Sequence, residues 1–67
     1  MLRANLTRNA QQDRYMVFVD ECDEEGVILQ SKEVGYLVTK DEAVNILASL
    51  DFNHKEIGYA FSTCEDH

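Results

Sequence analysis

The apolar side chains change their spacing near Thr39, and this change limits the possible folds more than any other feature of the chain. Residues 14–20, RYMVFVD, are rich in β-branched and aromatic side chains and are apolar on both faces of a strand. After Thr39 the spacing becomes that of one helix face, with apolar residues at Ala43, Ile46, Leu47 and Leu50. Thr39 and Glu42 have the spacing of a capping box. The pattern therefore predicts strands before Thr39 and a helix after it.

Other short segments complete the predicted sheet. Residues 26–30, GVILQ, and 34–39, VGYLVT, have the pattern of two further strands, and Gly26 can supply a positive φ in a hairpin turn. Residues 57–64, IGYAFSTC, alternate large and small side chains, which predicts a final strand. Residues 1–13 form either a flexible segment or an extra edge strand. We predict the α+β class: a small, mainly antiparallel sheet of order β-β-β-α-β with one helix packed on one face.

The chain length sets the expected organisation. A sequence of 67 residues predicts a single domain over 1–67. No segment has the roughly 20 apolar residues of a membrane span, and no signal-peptide pattern is present. We therefore expect a cytoplasmic protein in which Cys22 and Cys64 are free thiols. A domain of this size buries only about 60% of its unfolded surface, so formation of a homodimer would add stability.

The net negative charge of the chain lies in residues 15–67. Residues 1–14 hold three arginines and one aspartate, a net charge of +2, whereas residues 15–67 carry −9, which gives −7 in total. This balance excludes direct nucleic-acid or anionic-membrane binding and favours basic protein partners. The segment 20–26, DECDEEG, is the densest cluster. We predict a partner-binding surface with nine acids, centred on the first five: Asp20, Glu21, Asp23, Glu24, Glu25, Asp41, Glu42, Glu65 and Asp66.

Metal and catalytic sites are not predicted. The acids from Glu21 onward follow an EF-hand loop only in part, because Lys32 stands where that loop needs a bidentate glutamate. The four candidate zinc ligands lack paired C-x-x-C spacing: Cys22, His54, Cys64 and His67. No phosphate loop and no nucleophile with a neighbouring base can be placed. We expect no enzymatic activity, no cofactor and no specific metal, with weak cation binding by the clustered acids left open.

A sheet covered by one helix leaves its second face open. Exposed apolar patches of that kind usually mark an interface. We predict a homodimer, either through this face, formed by Met16, Phe18, Ile28 and Leu37, or through an edge strand. The alternative is that the N-terminal segment folds back over the same face.

Two functions fit these features. The first is a non-enzymatic inhibitor of the DNA-mimic type, which docks on a basic nucleic-acid-binding protein and blocks its access to DNA or RNA. In size and charge, but not in any motif, the chain is similar to small acidic phage and mobile-element proteins that act in this way. The second is a dimeric regulatory adaptor that binds a protein partner through the apolar sheet face, with the charge serving solubility. The salt dependence of partner binding distinguishes the two functions, because docking through acidic residues weakens as ionic strength rises.

Overall fold

Four strands and two helices make up the fold. The computed structural model describes residues 1–66. The elements in chain order are β1 (Leu2–Asn9), β2 (Arg14–Cys22), β3 (Ile28–Val38), α1 (Lys40–Ser49), α2 (His54–Ser62) and β4 (Glu65–Asp66). The predicted α+β class is confirmed, but the prediction of a single helix is wrong.

The sheet has the strand order β3-β2-β1-β4. β1, β2 and β3 form an antiparallel meander, in which Leu2 pairs with Glu21 and Asn9 pairs with Arg14. β4 then returns to the far side of β1 and runs parallel to it, where it pairs only with Thr7 and Arg8. The N-terminal segment is therefore a strand of the sheet and does not fold over the open face.

β3 is one strand where the sequence pattern predicted two. The polar stretch between the predicted strands stays paired with β2, since Ser31, Lys32 and Glu33 all have β2 partners. Register shifts at three places along the ladder accommodate the extra residues. β3 lies at the edge of the sheet, where polar side chains remain in water on a paired strand. The loss of apolar alternation therefore does not interrupt it.

α2 replaces the strand predicted for residues 57–64. Asn53 caps the helix: its side chain accepts the Glu56 N–H, and the Glu56 side chain accepts the Asn53 N–H. Ile57 and Ala60 are buried on one face of the helix, whereas Tyr59 is exposed. The strand prediction was wrong because it grouped Tyr59 with Ile57 by alternation, whereas the burial follows the helical period.

α1 confirms the predicted helix and its start. The Thr39 hydroxyl accepts the Glu42 N–H at 3.2 Å, and Glu42 Oε1 accepts the Thr39 N–H at 3.1 Å. Both halves of the capping box are therefore formed. Ala43 and Leu47 are the buried residues of this helix.

Both helices pack on the same face of the sheet. The buried core consists of Leu6 and Val17 from the sheet, Ala43 and Leu47 from α1, Phe52 from the connection, and Ile57 and Ala60 from α2. Tyr15 and Phe61 extend it with an edge-to-face contact, their ring centroids 5.2 Å apart. Gly35 lets α1 approach closely, because a Cβ there would lie 2.9 Å from Ile46 Cδ1 and 3.2 Å from Val17 Cγ2. Among residues 1–66 no helix covers the opposite face.

Neither helix could cross a membrane. α1 and α2 have 10 and 9 residues, and no helix in the described part of the chain is long and apolar enough for a span.

Candidate protein-binding site

The turn between β2 and β3 holds the densest predicted acids at one end of the molecule. We call Glu21, Asp23, Glu24 and Glu25 the acidic tip. Asp23 organises the turn, because its Oδ1 accepts the N–H groups of Glu25 and Val27, each at 2.9 Å. Gly26 adopts a φ of 85°, as the hairpin prediction required. The Asp23 carboxylate is thus committed to the backbone of its own turn.

The other three acids of the tip are free to meet a partner. Glu21, Glu24 and Glu25 are exposed. Within residues 1–66 their carboxylates make no ion pair, since the two ion pairs found there both belong to Arg8. The carboxylates of Glu24 and Glu25 therefore project into solvent from the turn, and that of Glu21 from the adjoining end of β2.

Asp20 does not belong to this surface, although the sequence placed it there. Its side chain is only 1% exposed on the sheet face opposite the helices. Its Oδ1 accepts the Ser31 hydroxyl at 2.7 Å, and its Oδ2 lies 3.5 Å from Asn5 Nδ2. The neighbouring strands thus enclose this carboxylate, and a partner cannot reach it. Asp20 is a structural acid, which corrects the predicted site.

The four outlying acids lie at the other end of the sheet. Asp41 and Glu42 lie in the first turn of α1, and Glu65 and Asp66 form β4. α1 follows Val38, which pairs with Tyr15, while the turn that holds Asp23, Glu24 and Glu25 follows Cys22. The seven residue steps of β2 between these points span about 23 Å at roughly 3.3 Å per residue. The predicted nine-residue surface is therefore two separate groups.

Charge at this second end is partly neutralised. Arg8 pairs with Asp13 at 2.8 Å and with Asp66 at 3.4 Å. The Glu42 carboxylate stays ionised, since the Thr39 backbone N–H and hydroxyl hold its pKa below the ordinary value, but it is engaged in the cap of α1. Lys40 lies 5.4 Å from the centroid of the Phe61 ring, next to Asp41 in the chain. The acidic tip is therefore the stronger anionic surface.

Three exposed aliphatic residues follow the acidic tip directly. Val27, Ile28 and Leu29 are 54%, 49% and 64% exposed. Ile28 was predicted as an interface residue, and the sequence pattern assigned its neighbours Val27 and Leu29 to the same strand without predicting their exposure. Consecutive exposed aliphatic residues are unfavourable in water unless a partner covers them. The tip thus combines free carboxylates with an uncovered apolar segment.

The predicted dimer face is mixed in character. Met16 and Phe18 are half-buried on the face without helices. Their cross-strand neighbours on β1 are polar, Thr7 and Asn5. Leu37 is half-buried in an irregular part of β3, where it adopts a φ of 50°. The four predicted interface residues therefore do not form one broad apolar patch.

Two grooves, which the sequence analysis did not anticipate, open at the same end of the molecule as the tip. The tip groove has a volume of about 290 Å³, and its wall is mainly apolar: Leu2, Val19, Val34, Leu50 and Phe52, with Glu21, Gln30 and Lys32 at its polar parts. The edge groove, of about 410 Å³, lies between β1 and α2 and is lined by Met1, Leu2, Arg3, Ala4, Lys55, Glu56 and Tyr59. Both depend on how the helices sit over the sheet, which local patterns do not encode.

Candidate metal ligands are dispersed in the part of the chain that the structure describes. No group of three histidine, cysteine or acidic side chains there is placed to hold a metal ion. His67, one of the four candidate zinc ligands, lies outside the described residues. Cys22 and Cys64 are free thiols, as predicted. Burial, with a contribution from Asp66, raises the pKa of the Cys64 thiol, so this cysteine is a poor nucleophile at neutral pH.

Comparisons with protein-family models, with curated proteins and with solved structures found no match to this chain.

Proposed function

We propose that this protein is a non-enzymatic binding protein that docks its acidic tip on a basic surface of a partner protein. One observation carries the proposal: Glu21, Glu24 and Glu25 are exposed and unpaired, and they stand beside the exposed aliphatic residues Val27–Leu29. A turn that served only solubility would need the charges but not the aliphatic segment.

The two parts of this surface have different roles in docking. The carboxylates steer the encounter with a basic partner, and their effect falls as salt rises. The aliphatic segment adds apolar contact that salt does not screen. The interface is therefore expected to keep some affinity at high salt while its association rate falls steeply.

The partner class that we propose is a basic nucleic-acid-binding protein. A surface built to hold phosphates carries the lysine and arginine density that three clustered carboxylates would meet. Occupation of that surface would block access to DNA or RNA, which is inhibition of the DNA-mimic type. Because the two acidic groups lie at opposite ends of the sheet, the mimicry rests on one tip entering a basic cleft. We place this activity in the cytoplasm, in a phage-like setting.

Capture from a bacterial lysate followed by a salt gradient tests the proposal. The protein is the bait, captured proteins are eluted with rising salt, and duplex DNA is the competitor. We expect a basic nucleic-acid-binding protein to be retained at low salt and displaced by DNA. If duplex DNA displaces none of the captured proteins, the proposed partner class is contradicted.

Two charge variants assign the binding to the tip. The tip variant is Glu21→Lys, Glu24→Lys and Glu25→Lys, and the matched control is Glu33→Lys, Asp41→Lys and Glu65→Lys, all at exposed acids. Both change the net charge from −7 to −1, because each of the three substitutions adds two charges. We expect the tip variant to lose at least tenfold in affinity and the control less than threefold. Equal losses would mean that overall charge, and not the tip, determines binding.

The second candidate function is a dimeric adaptor that uses the open sheet face. Met16 and Phe18 favour it, since they are only half-buried on a face that no helix covers within residues 1–66. Sedimentation of the wild type and of Phe18→Glu at micromolar concentration tests this function. A dimer that is insensitive to salt and lost in Phe18→Glu would support the adaptor over the acidic tip.

A further inference from the structure

The outer edge of β1 carries backbone groups that its neighbours leave unpaired. Met1 exchanges two hydrogen bonds with Cys22: the Cys22 N–H donates to Met1 O at 2.8 Å, and the Met1 nitrogen donates to Cys22 O at 3.0 Å. In an antiparallel ladder such pairs alternate with pairs whose backbone groups point away. The N–H and C=O groups of Leu2 and Ala4 therefore point away from β2, to the outer edge of β1.

β4 shields only the far part of this edge. It pairs with Thr7 and Arg8 and with no earlier residue of β1. β4 runs parallel to β1, in the direction away from Leu2. Within residues 1–66 the backbone from Leu2 to Asn5 thus has no strand on its outer side.

The edge groove provides room for an added strand at this position. It follows β1 from Met1 to Ala4, and α2 forms its other wall through Lys55 and Tyr59. Met1, Leu2 and Tyr59 are exposed apolar side chains along it. A strand placed there would gain backbone hydrogen bonds from β1 and cover these apolar groups.

The groove is basic on a strongly acidic protein. Arg3 and Lys55 line it, and neither makes an ion pair with any residue among 1–66. Its one acid, Glu56, is engaged in the cap of α2, where its Oε1 accepts the Asn53 N–H at 3.0 Å. The two free cations therefore favour an acidic occupant.

We propose that the β1 edge binds an extended acidic segment of a partner protein as an additional strand. Acidic side chains on the sheet face of Arg3 meet Arg3, and apolar side chains on the opposite face contact Leu2 and Tyr59. Lys55, which lies on α2, adds positive charge to the groove. This is strand addition to an open sheet edge, in which the backbone supplies affinity and the alternate side chains supply specificity. The surface is separate from the acidic tip and does not depend on the proposed function.

A second copy of this chain fits the edge less well. Antiparallel pairing of Leu2 with Ala4 of a second copy would place Arg3 opposite Arg3, which is repulsive. Pairing centred on Ala4 would place Met1 of the second copy opposite Thr7, where β4 already lies. An acidic segment of another protein meets neither obstacle.

Binding of labelled peptides to the full chain tests the proposal. One pool of fluorescent heptapeptides alternates Asp or Glu with Val, Ile or Tyr, and a second pool has Lys or Arg in place of the acids. Fluorescence anisotropy should show at least tenfold tighter binding of the acidic pool. Amide exchange at Ala4 should slow at least tenfold when that pool is added. Equal binding of both pools, or unchanged exchange at Ala4, would overturn the proposal.

Two variants locate the binding. Ala4→Pro removes an N–H that faces the outer edge and leaves the bonds to β2 in place, as proline does on edge strands. Arg3→Glu with Lys55→Glu reverses the groove charge, and Lys32→Glu with Lys40→Glu is the matched control. We expect the first two to weaken acidic-pool binding at least tenfold and the control less than threefold. Retained binding in a folded Ala4→Pro, or self-association that Ala4→Pro abolishes, would refute the assignment.

Discussion

Asp20 supports a prediction in which two partners of one hydrogen bond have unequal effects on stability. Its carboxylate is almost fully buried and accepts the Ser31 hydroxyl at 2.7 Å, whereas Ser31 itself is exposed. Asp20→Ala removes the acceptor and leaves a hydroxyl that water can reach. Ser31→Ala removes the donor and leaves a buried carboxylate whose other side-chain contact, with Asn5, is at 3.5 Å. Ser31→Ala should therefore be the more destabilising change.

The magnitudes follow from what each change leaves behind. Asp20→Ala should lower the free energy of unfolding by about 1 kcal/mol, because the freed hydroxyl regains water and the desolvation cost of the carboxylate disappears. Ser31→Ala should lower it by about 2 to 3 kcal/mol, the cost of a buried charged acceptor with one weak contact. The double variant should resemble Asp20→Ala, which gives a coupling energy of about 2 to 3 kcal/mol in magnitude.

Urea denaturation followed by circular dichroism measures these differences. With a slope of about 1 kcal/mol per molar urea for a small domain, the midpoints should fall by about 1 M and by 2 to 3 M. Additive effects in the double variant, or a larger loss in Asp20→Ala, would refute the argument from unequal burial. The same Asp20→Ala protein should bind the proposed basic partner as the wild type does, because Asp20 is not part of the acidic tip.

Two further predictions concern the helices. Leu47→Ala should lower the free energy of unfolding by about 3 kcal/mol, because Leu47 is fully buried at the centre of the core and the sheet cannot collapse into the cavity; a melting curve measures the loss. Glu42 has a folded-state pKa below its ordinary value of 4.5, so its contribution to stability is present above that pH and is lost as the pH falls through the folded pKa. Glu42→Gln should keep the cap bond to Thr39 and flatten the dependence of stability on pH below about 4.5, and an unchanged dependence would assign it to other acids.

The sequence allowed the hairpin and α1 to be predicted because their signals are local. Gly26 follows the apolar run 14–20 by only six residues, and Thr39 and Glu42 are three residues apart. α2 was missed although comparable signals exist, namely the cap pair Asn53 and Glu56 and the helical spacing of Ile57 and Ala60. The aromatic and small residues of this segment satisfied strand alternation equally well, and only packing against β1 separates the two periods.

The candidate site was predictable only where it depends on the chain near the turn. The exposure of Glu24 and Glu25 follows from a hairpin tip, and the structure has them exposed. The burial of Asp20 depends on Asn5 and Ser31, which are 15 and 11 residues away in the chain. The register of two strand pairs brings them together, and register is not encoded in any one segment.

Arg8 closes two loops of very different length. Its guanidinium binds Asp13, five residues away, and Asp66, 58 residues away. The entropic cost of closure grows with the logarithm of loop length, so the longer loop costs about 2 kcal/mol more to close. The β1–β2 hairpin should therefore form early in folding, and the pairing of β4 with β1 should form last and open first. Each opening would release Thr7 and Arg8 as well, which would briefly lengthen the free edge of β1.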